Sequence, residues 1–301
     1  MINMAINWQD IMSKGEKAFE RGKIEQAIKY FDDAVSLAES EFQLSEAFHS
    51  LALVYLKAGN WSRYFESEKL AAAYATHIDA GQAADFMKYA GDVLTRLRRC
   101  DIALEAYSLA SKYFSDQSSI EKDEDLRVAW SGWSFFCAGK SGNDPQTNFR
   151  KAADYFSKAA RVSASPALKG NRIAKAHLAN ALSILFSPVL SKELILDARK
   201  HLKKASFFEQ SNPSYKACYI AIDSLLFSLE LQEKDPKVIK APQNLVKKVN
   251  LLKEALRKME CTFVLGEELD RVFEDAQFNL SEPKKFKGMS LLLLEIVKAV
   301  S

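Results

Sequence analysis

The residues of this 301-residue chain that could do chemistry are four histidines, four cysteines and a few clusters of like charge. A catalytic metal needs ligands at helical or loop spacing, and a nucleophile needs a base beside it. His49, His77, His177 and His201 stand singly, with no second histidine or cysteine at ligand spacing, so each is assigned to helix packing or the surface. Cys100, Cys137, Cys218 and Cys261 lie at least 37 residues apart and form no C-x-x-C pair, which reads as reduced, half-buried packing residues. Gly139, Lys140 and Ser141 echo the end of a phosphate-binding loop. That motif requires a glycine where Ser134 stands, and a strand leading in. Asp32 with Asp33, and Asp123, Glu124 and Asp125, lack the apolar neighbours that would raise a carboxyl pKa and read as solvated charge. No catalytic, cofactor-binding or metal-binding residue is assigned, and a protein that is not an enzyme is expected.

Recognition is the chemistry that remains. Residues 1–150 carry 17 Lys/Arg against 22 Asp/Glu, a balance of −5; the rest carry 25 against 17, a balance of +8. Such a polarity can orient an elongated partner. Arg96, Arg98 and Arg99 form a basic cluster that either complements a helix C-terminus or binds a partner. Lys234, Lys237, Lys240, Lys247, Lys248 and Lys253, then Lys284, Lys285 and Lys287, supply the basic half. No aromatic residues alternate with them to stack bases, so nucleic acid is disfavoured. Trp130, Trp133, Phe135 and Phe136 read as core rather than as an exposed anchor.

The elements that must position these groups show themselves as repeats. Gly15, Phe19, Gly22, Ala27, Phe31 and Ala34 follow the order small residue, aromatic, turn glycine, then A-x3-F-x2-A. Small residues let two helices approach closely, and the aromatic between two alanines plugs the groove against the next hairpin. A second copy keeps Ala52, Tyr55, Gly59 and Ala71 but has Tyr64 where a small residue belongs, which should loosen that hairpin. Gly91, Ala103, Tyr107 and Ala110 restore the pattern. Gly132, Ala152, Phe156 and Ala159 give a fourth copy, with GKSGNDPQTN as a longer loop; Ala179, Leu182, Ala198, Leu202 and Ala205 give a fifth. The second-helix anchors at 27, 64, 103, 152 and 198 are spaced by 37, 39, 49 and 46 residues. Beyond Asn212, amphipathic segments over Pro213–Gln232, Leu245–Met259, Glu267–Phe278 and Gly288–Val300 are expected to cap the stack. Polar or proline-bearing stretches, among them SDQSSIEKDED at 115–125, mark the breaks. No strand pattern occurs.

These repeats resemble the tetratricopeptide-repeat superfamily over about residues 8–210. The resemblance implies an all-α fold, a right-handed solenoid of antiparallel helical hairpins with about 13–14 helices. Residues 1–212 would form five hairpins and residues 213–301 a capping bundle that continues the solenoid. It further implies a non-catalytic scaffold whose inner face grips a helical or extended segment of a partner protein. By repeat phase the inner face would carry Glu16, His49, Leu53, Lys88, Asp92 and Arg96, with Arg98 and Arg99 beside them. Met12, Glu16 and Ser50 stand where the superfamily's chaperone-tail clamp uses lysine and asparagines, which disfavours that ligand. The chain length, the stretch from Ala83 to Phe114 and the leucine-rich GMSLLLLEIVKAV are also similar to the soluble attachment proteins of vesicle fusion. Those adaptors link a coiled-coil bundle to an AAA ATPase. The acidic, leucine-bearing terminus with which they engage the ATPase has no counterpart before Ser301.

No apolar run approaches the ~18 residues of a membrane span, and MINMAINWQD is not a secretion signal. A cytoplasmic protein without cofactor is expected, with at most weak peripheral membrane contact through Met1, Ile2, Met4 and Ile6. A ligand-binding regulator with its site inside the superhelix is the alternative from a different class.

Overall fold

Short polar side chains start most of the helices. Asn7, Ser40, Asn60, Asp79, Asp123, Ser165 and Ser191 each accept a hydrogen bond from a first-turn N–H, and Pro145 and Pro166 stand where a helix needs no N–H. The turns between paired helices are equally regular. Gly22, Gly59 and Gly142 adopt positive φ of 71°, 71° and 85°, and the N–H of the next residue returns to a carbonyl five residues back. At the third hairpin Arg98 takes this left-handed place with φ 60°, at a cost of about 1–2 kcal/mol for a residue with a Cβ.

In the computed structural model, which describes residues 7–233, 242–257, 259, 268–269, 271 and 283–301, these signals produce thirteen α-helices and no strand among the described residues. They are α1 (Trp8–Glu20), α2 (Ile24–Leu37), α3 (Glu41–Lys57), α4 (Trp61–Ala75), α5 (Ala80–Arg96), α6 (Cys100–Ile120) and α7 (Glu124–Lys140). Then follow α8 (Pro145–Val162), α9 (Pro166–Leu185), α10 (Lys192–Phe208), α11 (Pro213–Glu233), α12 (Pro242–Arg257) and α13 (Pro283–Val300). The fold is all-α. From α1 to α12 each helix packs chiefly on its neighbours in sequence; α13 packs on α11 and reaches back to α5.

Close approach is set by glycine facing an aromatic ring. A Cβ on Gly15 would fall 2.6 Å from the Phe31 ring, one on Gly91 2.8 Å from Tyr107, and one on Gly132 2.8 Å from Phe156. Phe31, Tyr107 and Phe156 are buried, as are the alanines that flank them in the second helices. Three apolar clusters follow along the chain, from Ile11 to Val54, from Ala52 to Cys137, and from Phe136 to Val300. The last crosses residues 212 and 213 without a break.

Several local expectations are corrected. Helix α6 runs through SDQSSI as far as Ile120, because Ser119 bonds back to the Asp116 carbonyl and Ser118 bonds to Arg127 and Ser131 of the next helix. GKSGNDPQTN is not a long loop: Gly139 and Lys140 end α7, Pro145 begins α8, and only 141–144 lie between. The longer interval of this repeat is taken up as helix. A second close approach, Gly139 against the Phe149 ring at 3.0 Å, extends the hairpin beyond the Gly132–Phe156 contact. Tyr64 does not loosen its hairpin either; it is fully buried, and Ser45 of α3 donates to the Ala71 carbonyl of α4 at 3.0 Å. The plug of that repeat, in the place of Phe31, is Glu68. Helix α13 starts at Pro283, earlier than expected, since proline suits a first helical position. Most of Glu267–Phe278, and Met1, Ile2, Met4, Ile6, Lys234, Lys237, Lys240 and Cys261, lie outside the described residues, as do the side chains of Lys284, Lys285 and Lys287.

Candidate functional site

Helix α5 places Lys88, Asp92 and Arg96 four residues apart, so that they form one stripe along the helix. Helices α5, α7, α9 and α11, the first helices of successive hairpins, turn toward a common cleft of about 310 Å³. Lys88, Asp92 and Arg96 form one side of it. Trp133 and Phe136 of α7 with Phe156 of α8 form an apolar wall, and Asn171 and Lys175 of α9 stand opposite. Glu209, Asn212, Ser214 and Tyr215, with Val300 and Ser301 at the end of α13, complete the lining.

Lys88 and Asp92 belong to a half-buried polar network. The Lys88 ammonium donates to Asp92 Oδ2 at 2.9 Å and the Tyr107 hydroxyl donates to Asp92 Oδ1 at 2.6 Å. Lys140 lies beside this carboxylate and donates from Nζ to the Lys298 carbonyl at 3.0 Å. Burial alone would raise the Asp92 carboxyl, but Lys88, then Lys140 and the Tyr107 hydrogen bond, outweigh it and hold the pKa below its ordinary value. Burial opposes the charge of Lys88, yet Asp92 leaves its ammonium pKa raised. Burial lowers Lys140 in spite of Asp92, and burial and then Asp92 push the Tyr107 phenol well up. Lys175 differs. It makes no ion pair among the described residues, and burial lowers its pKa to about 8. Its ammonium sits 4.7 Å from the centre of the Trp133 ring, with Lys88 5.1 Å from the same ring.

The other expected inner-face residues have separate settings. Arg98 donates to Glu268 at 2.5 Å and pairs with Glu295 of α13 at 2.8 Å, which holds the left-handed turn and ties α13 to the α5–α6 corner. Arg99 and Glu16 are exposed, and Leu53 is half-buried. His49 is neither free nor in the cleft: its Nδ1 lies 3.1 Å from Glu68 Oε2, and its ring stacks on Phe86 at 4.7 Å.

The histidines are therefore not isolated. His177 and His201 place their Nδ1 atoms 3.0 Å apart across α9 and α10, and burial and then His201 lower His177 to about 4. His77 pairs with Glu41. Helix pairing brings these rings to partners that are distant in sequence, which spacing along the chain does not reveal. Asp125 is likewise not solvated charge, since it pairs with the buried Arg172. Trp133 and Phe136 pack in the core as expected, and Trp130 and Trp133 stack on Phe114. Cys137 and Cys218 are buried, whereas Cys100 is exposed rather than half-buried.

Two measurements follow. Burial pushes the thiols of Cys137 and Cys218 up to about 12. Native protein treated with a thiol reagent at neutral pH should be modified at Cys100, with Cys137 and Cys218 protected until denaturant is added, as read by mapping the labelled peptides. For the other, burial raises the Glu68 carboxyl against the pull of His49; burial lowers His49, but the hydrogen bond and charge of Glu68, and then Glu46, leave it raised. Stability from a raised group is fully present below its unfolded value and is lost as pH rises through the folded one. The melting temperature should therefore fall as the pH rises above about 6.5, and the double substitution His49→Phe/Glu68→Leu should remove that slope. An unchanged slope would show that this pair does not titrate with unfolding.

No protein-family model matches the chain, and no curated protein is significantly similar to it.

Proposed function

We propose that the protein is a cytoplasmic, non-catalytic scaffold whose inner helix faces hold a helical or extended segment of a partner protein. One observation supports the reading: a helix distant in sequence, the chain's own α13, packs on α11 and reaches back to α5. That helix spans from α11 to α5 through the Arg98–Glu295 pair and the Lys140 bond to the Lys298 carbonyl, with the Lys298 ammonium 4.2 Å from the Phe186 ring centre. An apolar, charge-edged helix in a groove between other helices is a common mode of protein recognition. The principal contacts of α13 do not include α1 to α4. The inner positions there, Glu16 and Leu53, are the ones a partner would meet.

The fold of the chain supports a scaffold in a second way, because stacked hairpins offer long surfaces at little cost in loop length. No helix among the described residues is long and apolar enough to cross a membrane. The test is a photo-cross-linking residue at Leu53, used in lysate of the source cell with and without Glu16→Lys on the same chain. Defined polypeptides that are captured and then lost with Glu16→Lys are expected. Capture of the same set at unchanged yield would place the partner elsewhere. The narrower reading, an adaptor between a coiled-coil bundle and an AAA ATPase, demands both in the captured set; recovery of neither removes it.

A further inference from the structure

We infer that the corner of the fold where the α8–α9 and α10–α11 turns lie side by side docks on a membrane surface rich in anionic phospholipid. The inference goes beyond the scaffold reading and does not rest on it.

Exposed large apolar side chains are unevenly placed on the stack. Phe42, Ile78 and Ile120 stand in or beside the turns that join the earlier hairpins, and Val162, Leu168, Phe207 and Phe208 in or beside the last two such turns. The turns inside the hairpins hold Val189 alone among the described residues. Because the helices are antiparallel, the joining turns share one edge, and that edge is apolar at its tips. Its last two turns form a single corner. Asn171 of α9 donates to Glu209 at 2.8 Å. Leu168 lies one helical turn before Asn171, and Phe207 and Phe208 immediately precede Glu209. Phe207 is 68% exposed, and Val162, Leu168 and Phe208 are 42–48% exposed. The Phe207 and Phe208 rings meet edge to face with 5.6 Å between centres, and exposed Ala164, Pro166 and Ala167 continue the apolar surface from Val162 to Leu168.

Charge separates this corner from the rest of the edge. Exposed Glu39 and Glu41 precede Phe42, Asp79 follows Ile78, and Asp123 and Glu124 follow Ile120. At the corner the signs reverse: Arg161, Lys169, Lys203 and Lys204 are exposed and make no ion pair among the described residues. Between Asp154 and Glu193 the chain has six Lys/Arg and no Asp/Glu. Apolar groups exposed this close together mark a contact surface. They project from turns, so a protein partner would have to bring pockets to them. The headgroup region of a bilayer parts around such projections, and its negative charge attracts the cations that ring them. The −5 half of the chain is repelled by the same surface, which turns the +8 half toward it.

The test floats the full chain with vesicles of phosphatidylcholine alone and of phosphatidylcholine with about 30% phosphatidylserine. Flotation with the phosphatidylserine vesicles only is expected, weakened at about 0.5 M salt, where surface charge is screened within a few ångströms. Leu168→Ser/Phe207→Ser should lower the partition coefficient at least about tenfold, and Lys169→Gln/Lys203→Gln about fivefold per cation removed. Ile120→Ser, on an acidic turn of the same edge, should leave it unchanged. All these side chains are exposed, so the melting temperatures should stay native; if that of Leu168→Ser/Phe207→Ser does not, the lysine pair decides. No flotation with phosphatidylserine vesicles, or flotation that neither pair of substitutions diminishes, overturns the inference. Equal flotation with phosphatidylcholine alone would overturn the anionic assignment, and retention on poly-L-glutamate without flotation would overturn the membrane in favour of an acidic polypeptide.

Discussion

Replacing Asp92 with alanine should destabilise the protein by about 1–3 kcal/mol, the loss expected when half-buried donors are left without their acceptor. The substitution leaves Lys88 without its 2.9 Å partner, Tyr107 without its acceptor, and Lys140 with no carboxylate beside it. Its pH dependence identifies the cause. In the native protein Asp92 is held below its ordinary value, so the stability it contributes is present above the unfolded aspartate pKa and is lost as acid takes the pH down through the folded one. In the variant the lysines become bases whose folded values are depressed, and their contribution reverses: it is lost as pH falls and regained as pH rises. The deficit of Asp92→Ala relative to the native chain should therefore shrink between pH 7 and 9.5. Urea unfolding at the two pH values, with amide exchange across α5–α7, measures both effects. Adding Lys88→Met to the variant should recover part of the loss, because one stranded charge goes with it. A deficit independent of pH would mean that lost packing, and not stranded charge, sets the cost.

The hairpins were legible because each rests on local geometry. A glycine and an aromatic sixteen residues apart, as in Gly15 with Phe31 and Gly91 with Tyr107, are brought together by one turn and two regular helices. The same logic located the alanines that flank each plug. It missed Glu68, since a carboxylate in the aromatic's place is acceptable only when His49 on the facing helix bonds to it, and that pairing comes from the tertiary structure. The cleft was half legible. Lys88, Asp92 and Arg96 share a helix stripe and follow from repeat phase, and the structure places all three on one wall. Lys175 and Glu209 come from other hairpins, and only the packing of those hairpins brings them to the same cleft, which sequence spacing does not carry. The expected basic cluster was mixed in the same way: Arg96 faces the cleft, Arg98 is used in a strained corner, and Arg99 is exposed.

Glycine to alanine at two places in these helices should change stability in opposite directions, and the contrast isolates packing from helix propensity. Alanine is the better helix former by about 0.8–1 kcal/mol. At Gly170 on α9, the nearest atom to an added Cβ is 3.8 Å away, so Gly170→Ala should stabilise by close to that amount. At Gly91 the same Cβ would lie 2.8 Å from the Tyr107 ring. Tyr107 has nowhere to retreat: it is fully buried between α5 and α6, and its hydroxyl is fixed on Asp92 at 2.6 Å. Either α5 and α6 move apart or the ring turns and the half-buried Asp92 carboxylate loses a donor. Overpacking of this kind costs about 1–3 kcal/mol, which exceeds the propensity gain, so Gly91→Ala should be destabilising. The companion Gly91→Ala/Tyr107→Leu removes the ring that clashes but also the hydroxyl that Asp92 needs. It should relieve the crowding at α5–α6 without restoring native stability. Differential scanning calorimetry of the three variants beside the native chain reads the signs directly. If Gly91→Ala were as stabilising as Gly170→Ala, the glycine-to-ring contact would not be what sets the spacing of the hairpin.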